Sequence, residues 1–277
     1  PMAQATGSPW LALLAWLAAG LLSLAGALTY AELGALMPDA GGEYLYLRAA
    51  YGDLPAFLFG WMRMLVGASG SIAIFGVGFA TFLSAVLPLD AVWMRKSIHI
   101  FGQTTDWEFG IKQVVAISAI LLLSALNCLR VTFAGRVQTL LVTAKVAAIA
   151  GIVAGVFFFG KSGDWSHLLT PPGTAAWRGF QAFGFAMISA LWAYDGWNNM
   201  PMVAGEVKDP QQNVPRALIL GMLIVLIVYG LVNLAYCYAL PFSEILSSNS
   251  SMHRDALPVA AKAARTFLGD QGPRLVS

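Results

Sequence analysis

The sequence predicts an all-α integral membrane protein, and three observations support this fold class. Of the 277 residues, 58% are hydrophobic and 11% are charged, whereas a soluble domain carries about 25% charged residues. The mean hydropathy is +0.70. Several apolar stretches also reach about 20 residues, which is the length of helix that crosses the hydrocarbon core of a bilayer.

The same composition argues against several other classes of function. The net charge is +2, and Lys and Arg stand singly rather than in basic runs, so the sequence predicts no nucleic-acid partner. Two cysteines, Cys128 and Cys237, lie in apolar segments near helix ends, and we interpret both as small packing residues rather than metal ligands or disulfide partners. The sequence shows no His cluster, Ser/His/Asp set or phosphate-binding loop. It therefore predicts no enzyme, no metal and no cofactor.

Six helical spans are predicted in a single transmembrane domain that covers residues 1–277. They lie at about 10–37, 54–86, 111–129, 136–159, 177–204 and 215–240. The first follows a turn at residues 7–9, and its glycines and alanines supply the small surfaces that membrane helices need for close packing. Between the first two spans, aromatic and charged residues at 43–52 predict a short interfacial helix.

The remaining segments are predicted from polarity and from prolines. Residues 88–110 are polar and predict a loop. A second loop, which contains Pro171 and Pro172, precedes the fifth span, and a polar segment with the first turns of another helix near Val259–Leu268 follows the sixth. Since the sequence starts without a Met and ends without a terminating pattern, we expect it to be an internal piece of a longer chain.

The fifth span contains the most informative stretch, because its helical pattern fails at Tyr194-Asp195-Gly196 inside a hydrophobic run. A carboxylate at the centre of a membrane helix costs roughly 2.5–3.5 kcal/mol, and exposed backbone groups add to that cost. Such a break is tolerated where it is buried in protein or lines a wet cavity. It therefore predicts a binding site, the alternative being an ordinary kink in which Asp195 pairs with a neighbour.

Four ordered motifs resemble those of one known family. They are Tyr30-Ala31-Glu32-Leu33-Gly34 with Gly41-Gly42-Glu43-Tyr44; Tyr51-Gly52-Asp53-Leu54-Pro55-Ala56-Phe57; Asn127-Cys128 with Arg136-Val137-Gln138 and Lys145; and Ala193-Tyr194-Asp195-Gly196-Trp197-Asn198 running on to Asn213-Val214-Pro215-Arg216-Ala217. Together they cover nearly the whole sequence. They resemble the amino acid–polyamine–organocation superfamily, most closely its L-amino acid transporter branch.

The resemblance implies a leucine-transporter-type fold of twelve helices, in which two five-helix repeats are inverted in the membrane. The sequence then corresponds to helices two to seven and the start of the eighth, incomplete at both ends. The loops at 38–54, 130–136 and 205–215 would be cytoplasmic, and the absent first helix would supply half of the substrate site. Animal members pair with a glycoprotein heavy chain through a cysteine in the loop that corresponds to 88–110. Those residues contain no Cys, so no disulfide-linked heavy chain is expected.

For function, the resemblance implies a secondary transporter in the cell membrane, plasma or inner, that exchanges neutral L-amino acids without sodium. One alternative is a cationic amino acid or polyamine antiporter, in which Asp195 would recognise a second positive charge. Another is a proton-coupled symporter, because a buried lysine can have a lowered pKa and shed its proton.

The resemblance also assigns roles to residues around the break. Trp192 would close over the substrate from outside, the alternative being a packing or interfacial tryptophan. Ala193, Tyr194 and Gly196 would present backbone carbonyls to the substrate amine. Asn198 would either bond the substrate or cap the second half of the helix.

Further from the break, Lys145 would stand where sodium sits in the sodium-coupled relatives, or else form a structural ion pair. Tyr229 resembles a tyrosine whose hydroxyl meets the first helix near the substrate, the alternative being a core aromatic. Four charged residues are expected to form salt bridges that govern gating at the cytoplasmic face: Glu32, Arg48, Glu206 and Arg216.

Overall fold

The computed structural model describes residues 2–84, 87–100, 103–128, 131–160, 162–169, 179–248 and 256–272. Its α-helices are α1 (Met2–Thr6), α2 (Pro9–Leu36), α3 (Glu43–Tyr51), α4 (Asp53–Met62), α5 (Ser69–Leu83), α6 (Ile111–Asn127), α7 (Val131–Phe159), α8 (Gly179–Tyr194), α9 (Pro210–Ala239), α10 (Phe242–Leu246) and α11 (Val259–Leu268). A π-helical turn at Arg63–Ala68 joins α4 to α5, and 3₁₀ helices lie at Trp165–Leu169, Trp197–Glu206 and Gly269–Gln271. Two strands, β1 (Val92–Ile100) and β2 (Gln103–Gly110), complete the described elements.

Among the described residues, four helices have the length and apolar composition needed to cross a membrane. They are Pro9–Leu36, Asp53–Leu83, Gly135–Phe159 and Pro210–Ala239. The apolar helix α6 is shorter. The predicted span at 177–204 divides into α8 and the 3₁₀ helix Trp197–Glu206, with the interruption at the residues where the sequence pattern fails.

Two helices begin earlier than the hydrophobic pattern predicts. Helix α7 starts at Val131 rather than near 136, and α9 starts at Pro210 rather than near 215. Proline is tolerated in the first turn of a helix, where its missing N–H has no intrahelical partner. Hydrophobicity therefore marks the apolar part of α9 and not its first turn, which begins with Pro210. Pro171 and Pro172, which predict a loop, lie outside the described residues.

The prediction of a loop at 88–110 is wrong, because β1 and β2 form an antiparallel hairpin there. Arg95 lies opposite Glu108 and forms an ion pair with it, and Ser97 lies opposite Asp106, to which its hydroxyl donates a hydrogen bond of 2.7 Å. Cross-strand pairs of this kind stabilise an antiparallel hairpin. Polarity alone does not distinguish such a hairpin from a loop.

The chain divides into two compact units, and each is described by itself. The second unit covers residues 59–147 and includes the hairpin and the α5–α6 helix pair. A Cβ atom at Gly76 of α5 would lie 2.7 Å from Cδ1 of Ile120 on α6. This glycine therefore lets the two helices approach closely.

The first unit covers residues 1–58 and 148–273, and its centre is α2, which packs against α8 and α9. Small buried residues recur on α2 at every fourth position: Ala15, Ala19, Ser23, Ala27 and Ala31. Residues at this spacing share one helix face, and small side chains on it let neighbouring backbones come close. Around this face lie two clusters of buried side chains, one centred on Tyr194 and Met222, the other on Val214 and Leu218.

Candidate functional site

A cavity of about 370 Å³ in the first unit is lined by the broken helix and by α9. The broken helix contributes Ala193, Tyr194, Asp195, Gly196, Trp197 and Met200, and α9 contributes Ala217, Leu218, Gly221, Met222, Val225 and Tyr229. Five of these residues are among those that the sequence singles out as site residues. Apart from Ala217, which belongs to the fourth family motif, the other lining residues on α9 carry no sequence signal, because an apolar residue of a membrane helix looks the same whether it faces a cavity or lipid.

Gly196 determines where the helix breaks. Its backbone has φ 115° and ψ −15°, a conformation that glycine adopts readily and other residues rarely adopt. Helix α8 ends at Tyr194, and the next helix begins at Trp197. The last carbonyl groups of a helix lack intrahelical partners. The break therefore leaves backbone acceptors beside the cavity.

Tyr229 orients one of these carbonyls. Its hydroxyl donates a hydrogen bond of 3.1 Å to the carbonyl oxygen of Ala193. This carbonyl is one of those expected to accept a hydrogen bond from the substrate amine. A carbonyl oxygen has two lone pairs, so it can accept a second bond beside that from Tyr229. The contact places the Tyr229 hydroxyl beside the break, while its ring packs against the buried cluster around Tyr194 and Met222.

An aromatic cluster lies next to the cavity. Trp16 of α2 stands edge-on to Tyr194 and Tyr229, with ring centroids 5.8 Å and 5.3 Å away, and the two tyrosine rings are 5.1 Å apart. Such edge-on pairs add about 0.5–1.5 kcal/mol beyond the area that they bury. Trp16 carries no sequence signal for this role, because nothing local to α2 shows which helix its ring meets.

Two glycines of α2 make room for the aromatic side chains of the break. A Cβ atom at Gly20 would lie 2.8 Å from the hydroxyl oxygen of Tyr194, and one at Gly26 would lie 2.9 Å from Cη2 of Trp197. Real Cβ atoms do not approach other atoms this closely. The small surface that the sequence predicts on α2 therefore serves to seat these two rings.

Asn198 has a partner that the sequence analysis does not consider. Its Nδ2 donates a hydrogen bond of 2.8 Å to Oε1 of Glu43, which lies 155 positions earlier in the chain. The same oxygen accepts a bond of 2.9 Å from the hydroxyl of Tyr30. Asn198 does not line the cavity. Its side chain instead ties the second half of the broken helix to α3.

The remaining predicted site residues are not all brought together. Asp195 lines the cavity and is exposed. It forms no ion pair with another described residue, so the alternative of an ordinary kink with a paired Asp195 finds no support here. The side chain of Trp192 is 63% exposed and lies outside the cavity lining. Lys145 lies on α7, within the second unit, and its side chain is exposed. The roles expected of Trp192, of Lys145 and of the residues that line the cavity all stay predictions.

The expected network of four charged residues does not form within the described residues. Arg48 pairs with Asp53 through a contact of 2.6 Å from Nε to Oδ1, and this hydrogen bond raises the pKa of Arg48 above its ordinary value. Glu32, Glu206 and Arg216 are exposed and form no ion pair with another described residue. Arg48 therefore pairs with the carboxylate of Asp53 at the start of α4 and not with Glu32 or Glu206.

The two cysteines differ in burial. Cys237 is 8% exposed, as expected of a packing residue, whereas Cys128 is exposed. Within the described residues, no group of three or more His, Cys, Asp or Glu side chains has the geometry to hold a metal ion. The chemistry available at the cavity is therefore that of backbone carbonyls, hydroxyls, one carboxylate and apolar walls.

Comparison with known proteins identifies the relatives of this chain. The model of a family described as amino acid permease matches residues 2–276. The Serine/threonine exchanger SteT of Bacillus subtilis (strain 168) is 33% identical over 272 residues, which are 98% of this chain and 55% of that protein. The b(0,+)-type amino acid transporter 1 of Mus musculus is 31% identical over 239 residues, 86% of this chain and 46% of that protein.

A third relative extends the comparison to another group of transporters. The Large neutral amino acids transporter small subunit 2 of Rattus norvegicus is 34% identical over 250 residues, which are 88% of this chain and 44% of that protein. The chain thus spans about half the length of the relatives that it matches. The motifs at Tyr30–Tyr44 and at the break lie within the matched region of the family.

Proposed function

The chain belongs to the amino acid permease family, and from this premise we propose that it forms part of a secondary transporter that exchanges neutral L-amino acids. It is a multi-pass membrane protein, and its family consists of permeases rather than enzymes. The observation that carries the proposal is the break at Gly196, where interrupted backbone lines a cavity of about 370 Å³. Substrate sites of many transporters are formed by interrupted helices of this kind.

The ends of the two half-helices match the two charges of an amino acid. The C-terminal end of a helix carries partial negative charge, so the carbonyls at the end of α8 suit an ammonium group. The opposite end of a helix presents N–H groups and suits a carboxylate. The backbone at Ala193 and Tyr194 would therefore hold the substrate amine, with Tyr229 keeping the Ala193 carbonyl in place.

The composition of the cavity walls favours a substrate with a neutral side chain. Apart from Asp195, the lining side chains are apolar or aromatic, and ligand pockets of about 300–1,000 Å³ commonly combine such walls with a few polar groups. Serine and threonine, or large neutral amino acids, are the substrates in the names of two relatives. Neutral amino acids are therefore the first substrates to test.

Asp195 favours a second candidate, the exchange of cationic amino acids or polyamines. Its carboxylate lines the cavity, is exposed and has no ion-pair partner among the described residues. A carboxylate in this position would attract a second positive charge on the substrate. A neutral amino acid would leave it bonded to water.

Competition for uptake separates the two candidates. In the full-length protein reconstituted in liposomes, we expect serine, alanine and leucine to inhibit uptake of a labelled neutral amino acid better than arginine or putrescine does. Asp195→Asn should then change the inhibition by neutral amino acids less than about threefold, because an uncharged side chain makes no ion pair with Asp195. Strong inhibition by arginine that Asp195→Asn weakens at least tenfold would instead establish the cationic substrate.

Lys145 leads us to propose exchange without sodium. An ammonium group on a flexible stem carries three donors and can hold a fixed positive charge where a sodium ion would otherwise stand. Uptake by the full-length protein should therefore persist when choline replaces sodium, and internal amino acid should stimulate it strongly. Uptake should vary little with pH.

The liposome experiment with Lys145→Ala distinguishes the alternatives. A collapse of wild-type uptake in choline would contradict the sodium-replacement role. A steep pH dependence of wild-type uptake that Lys145→Ala abolishes would favour proton symport. For the exchange mechanism we expect Lys145→Ala to lower uptake at least tenfold at every pH, since the fixed charge is lost.

The proposed partners are amino acid substrates and the lipid bilayer. Heavy-chain pairing through a disulfide is not part of the proposal, because residues 88–110 contain no cysteine. The proposed location is the cell membrane.

A further inference from the structure

A buried carboxylate joins three elements of the first unit next to the break in the broken helix. Glu43 is the first residue of α3 and is 8% exposed. Its Oε1 accepts hydrogen bonds from Tyr30 of α2 at 2.9 Å and from Asn198 at 2.8 Å. We call Tyr30, Glu43 and Asn198 the Glu43 clasp. Hydrogen bonds to a charged acceptor are roughly twice as strong as bonds between neutral groups, so the clasp is a strong connection.

The backbone around the clasp is also in close contact. Gly42 has φ 48°, and a Cβ atom there would lie 3.1 Å from the backbone nitrogen of Met202. A Cβ atom at Gly205 would lie 3.3 Å from that of Ala40. The turn before α3 therefore lies directly against the 3₁₀ helix Trp197–Glu206 and leaves little room for it to shift while the clasp is closed.

The clasp reaches the cavity through Trp197. This residue precedes Asn198 and lines the cavity, and its ring stands edge-on to Tyr30 with centroids 5.1 Å apart. Two of the residues next to Trp197, its backbone neighbour Asn198 and its ring neighbour Tyr30, are bonded to the same Glu43 oxygen. Displacement of Glu43 would therefore release Trp197 from two directions.

The surroundings of Glu43 are buried. The hydroxyl of Tyr46 is buried and has no hydrogen-bond partner among the described residues, and burial together with the negative charge of Glu43 raises the pKa of Tyr46. Its ring lies 5.8 Å from that of Tyr30. In such surroundings, a polar group that loses its partner is costly, so the clasp bonds are hard to replace by bonds to water.

We propose that Glu43 is a positioning residue for the substrate cavity. Its carboxylate holds Trp197 in the cavity wall through Tyr30 and Asn198, and so sets the size of substrate side chain that the cavity accepts. This inference rests on the proposed function, since it names a determinant of substrate size at the same cavity. Glu43 itself does not line the cavity, so the proposed role acts through Trp197.

The test uses the full-length protein and exchanges the carboxylate of Glu43 and the amide of Asn198 between the two positions. Glu43→Gln removes the charge, and Asn198→Asp places two carboxylates together, so each single variant weakens the clasp. The double variant Glu43→Gln/Asn198→Asp restores an amide–carboxylate bond with donor and acceptor exchanged. Glu244→Gln, at an exposed glutamate on α10, is the matched control.

The measured quantity is the inhibition of neutral amino acid uptake by alanine, valine, leucine and phenylalanine, per amount of folded protein. In each single variant, we expect inhibition by alanine to weaken about tenfold relative to inhibition by phenylalanine, because a loosened Trp197 leaves a wider cavity. The double variant should restore the ratio to within about threefold of wild type, and Glu244→Gln should leave it unchanged. A structural role alone would lower protein abundance without changing this ratio.

A milder variant keeps the inference testable if the Glu43 and Asn198 variants do not fold. Tyr30→Phe removes one clasp bond but keeps the ring that packs on Trp197, and we expect the ratio to shift about threefold in the same direction. Tyr51→Phe, at a side chain that is 72% exposed, is its control. An unchanged ratio in Tyr30→Phe and in every foldable clasp variant would overturn the inference. Failure of wild-type uptake for every amino acid would instead contradict the proposed function.

Discussion

Replacing Gly196 by alanine should reduce transport at least tenfold while the rest of the protein stays folded. Gly196 has φ 115°, and a side chain at such a backbone conformation costs about 1–3 kcal/mol. Space is not the obstacle, because the nearest atom to an added Cβ is Nδ2 of Asn199 at 3.8 Å. The strain is relieved only if the break changes shape, and that movement displaces the carbonyls that line the cavity.

Gly230→Ala provides the control for this prediction. Gly230 lies within α9 with helical backbone, and nothing lies within 4 Å of an added Cβ atom. Alanine there should leave uptake unchanged and, by helix propensity, favour the helix by up to about 1 kcal/mol. Uptake and membrane abundance should be measured for both variants. If Gly196→Ala transports like wild type, the conformation of the break is not essential to the site.

Truncation of Tyr194 should have the largest effect on stability. Its side chain is 4% exposed and packs against Ala19, Ala190 and Met222, with Trp16 and Tyr229 at its ring. Removing a large buried aromatic side chain costs about 3–5 kcal/mol. We therefore expect Tyr194→Ala to deplete folded protein in the membrane, measured by thermal denaturation in detergent and by abundance. Tyr194→Phe, which keeps the ring, should retain most of it.

Trp192→Ala should show the opposite pattern, since it lies on the same helix but is 63% exposed. Little packing is lost, so abundance should fall much less than in Tyr194→Ala. If Trp192 closes the site from outside, uptake per folded protein should nevertheless drop at least tenfold. Equal losses of protein and of transport in Trp192→Ala would leave only a packing role for this residue.

Much of this protein was determined by its sequence alone. Composition and the length of the apolar stretches specify a helical membrane protein, because a bilayer requires every backbone group in its core to be bonded within the chain. The interruption at Tyr194-Asp195-Gly196 is visible for the same reason, since a carboxylate and a glycine in an apolar run are costly unless they serve a site. The family motifs at Tyr30–Tyr44 and around the break are likewise local features of the sequence.

The tertiary structure alone decided which residues meet. Asn198 bonds Glu43 across 155 positions, Trp16 meets the tyrosines of the break, and Gly20 and Gly26 make room for Tyr194 and Trp197. The polarity of residues 88–110 does not predict the β1–β2 hairpin, because polarity does not show that Arg95 pairs with Glu108. Local sequence patterns indicate whether a residue needs an apolar environment, a polar environment or a left-handed backbone conformation. Its partner depends on how the helices and strands pack, and no periodicity within one helix encodes that packing.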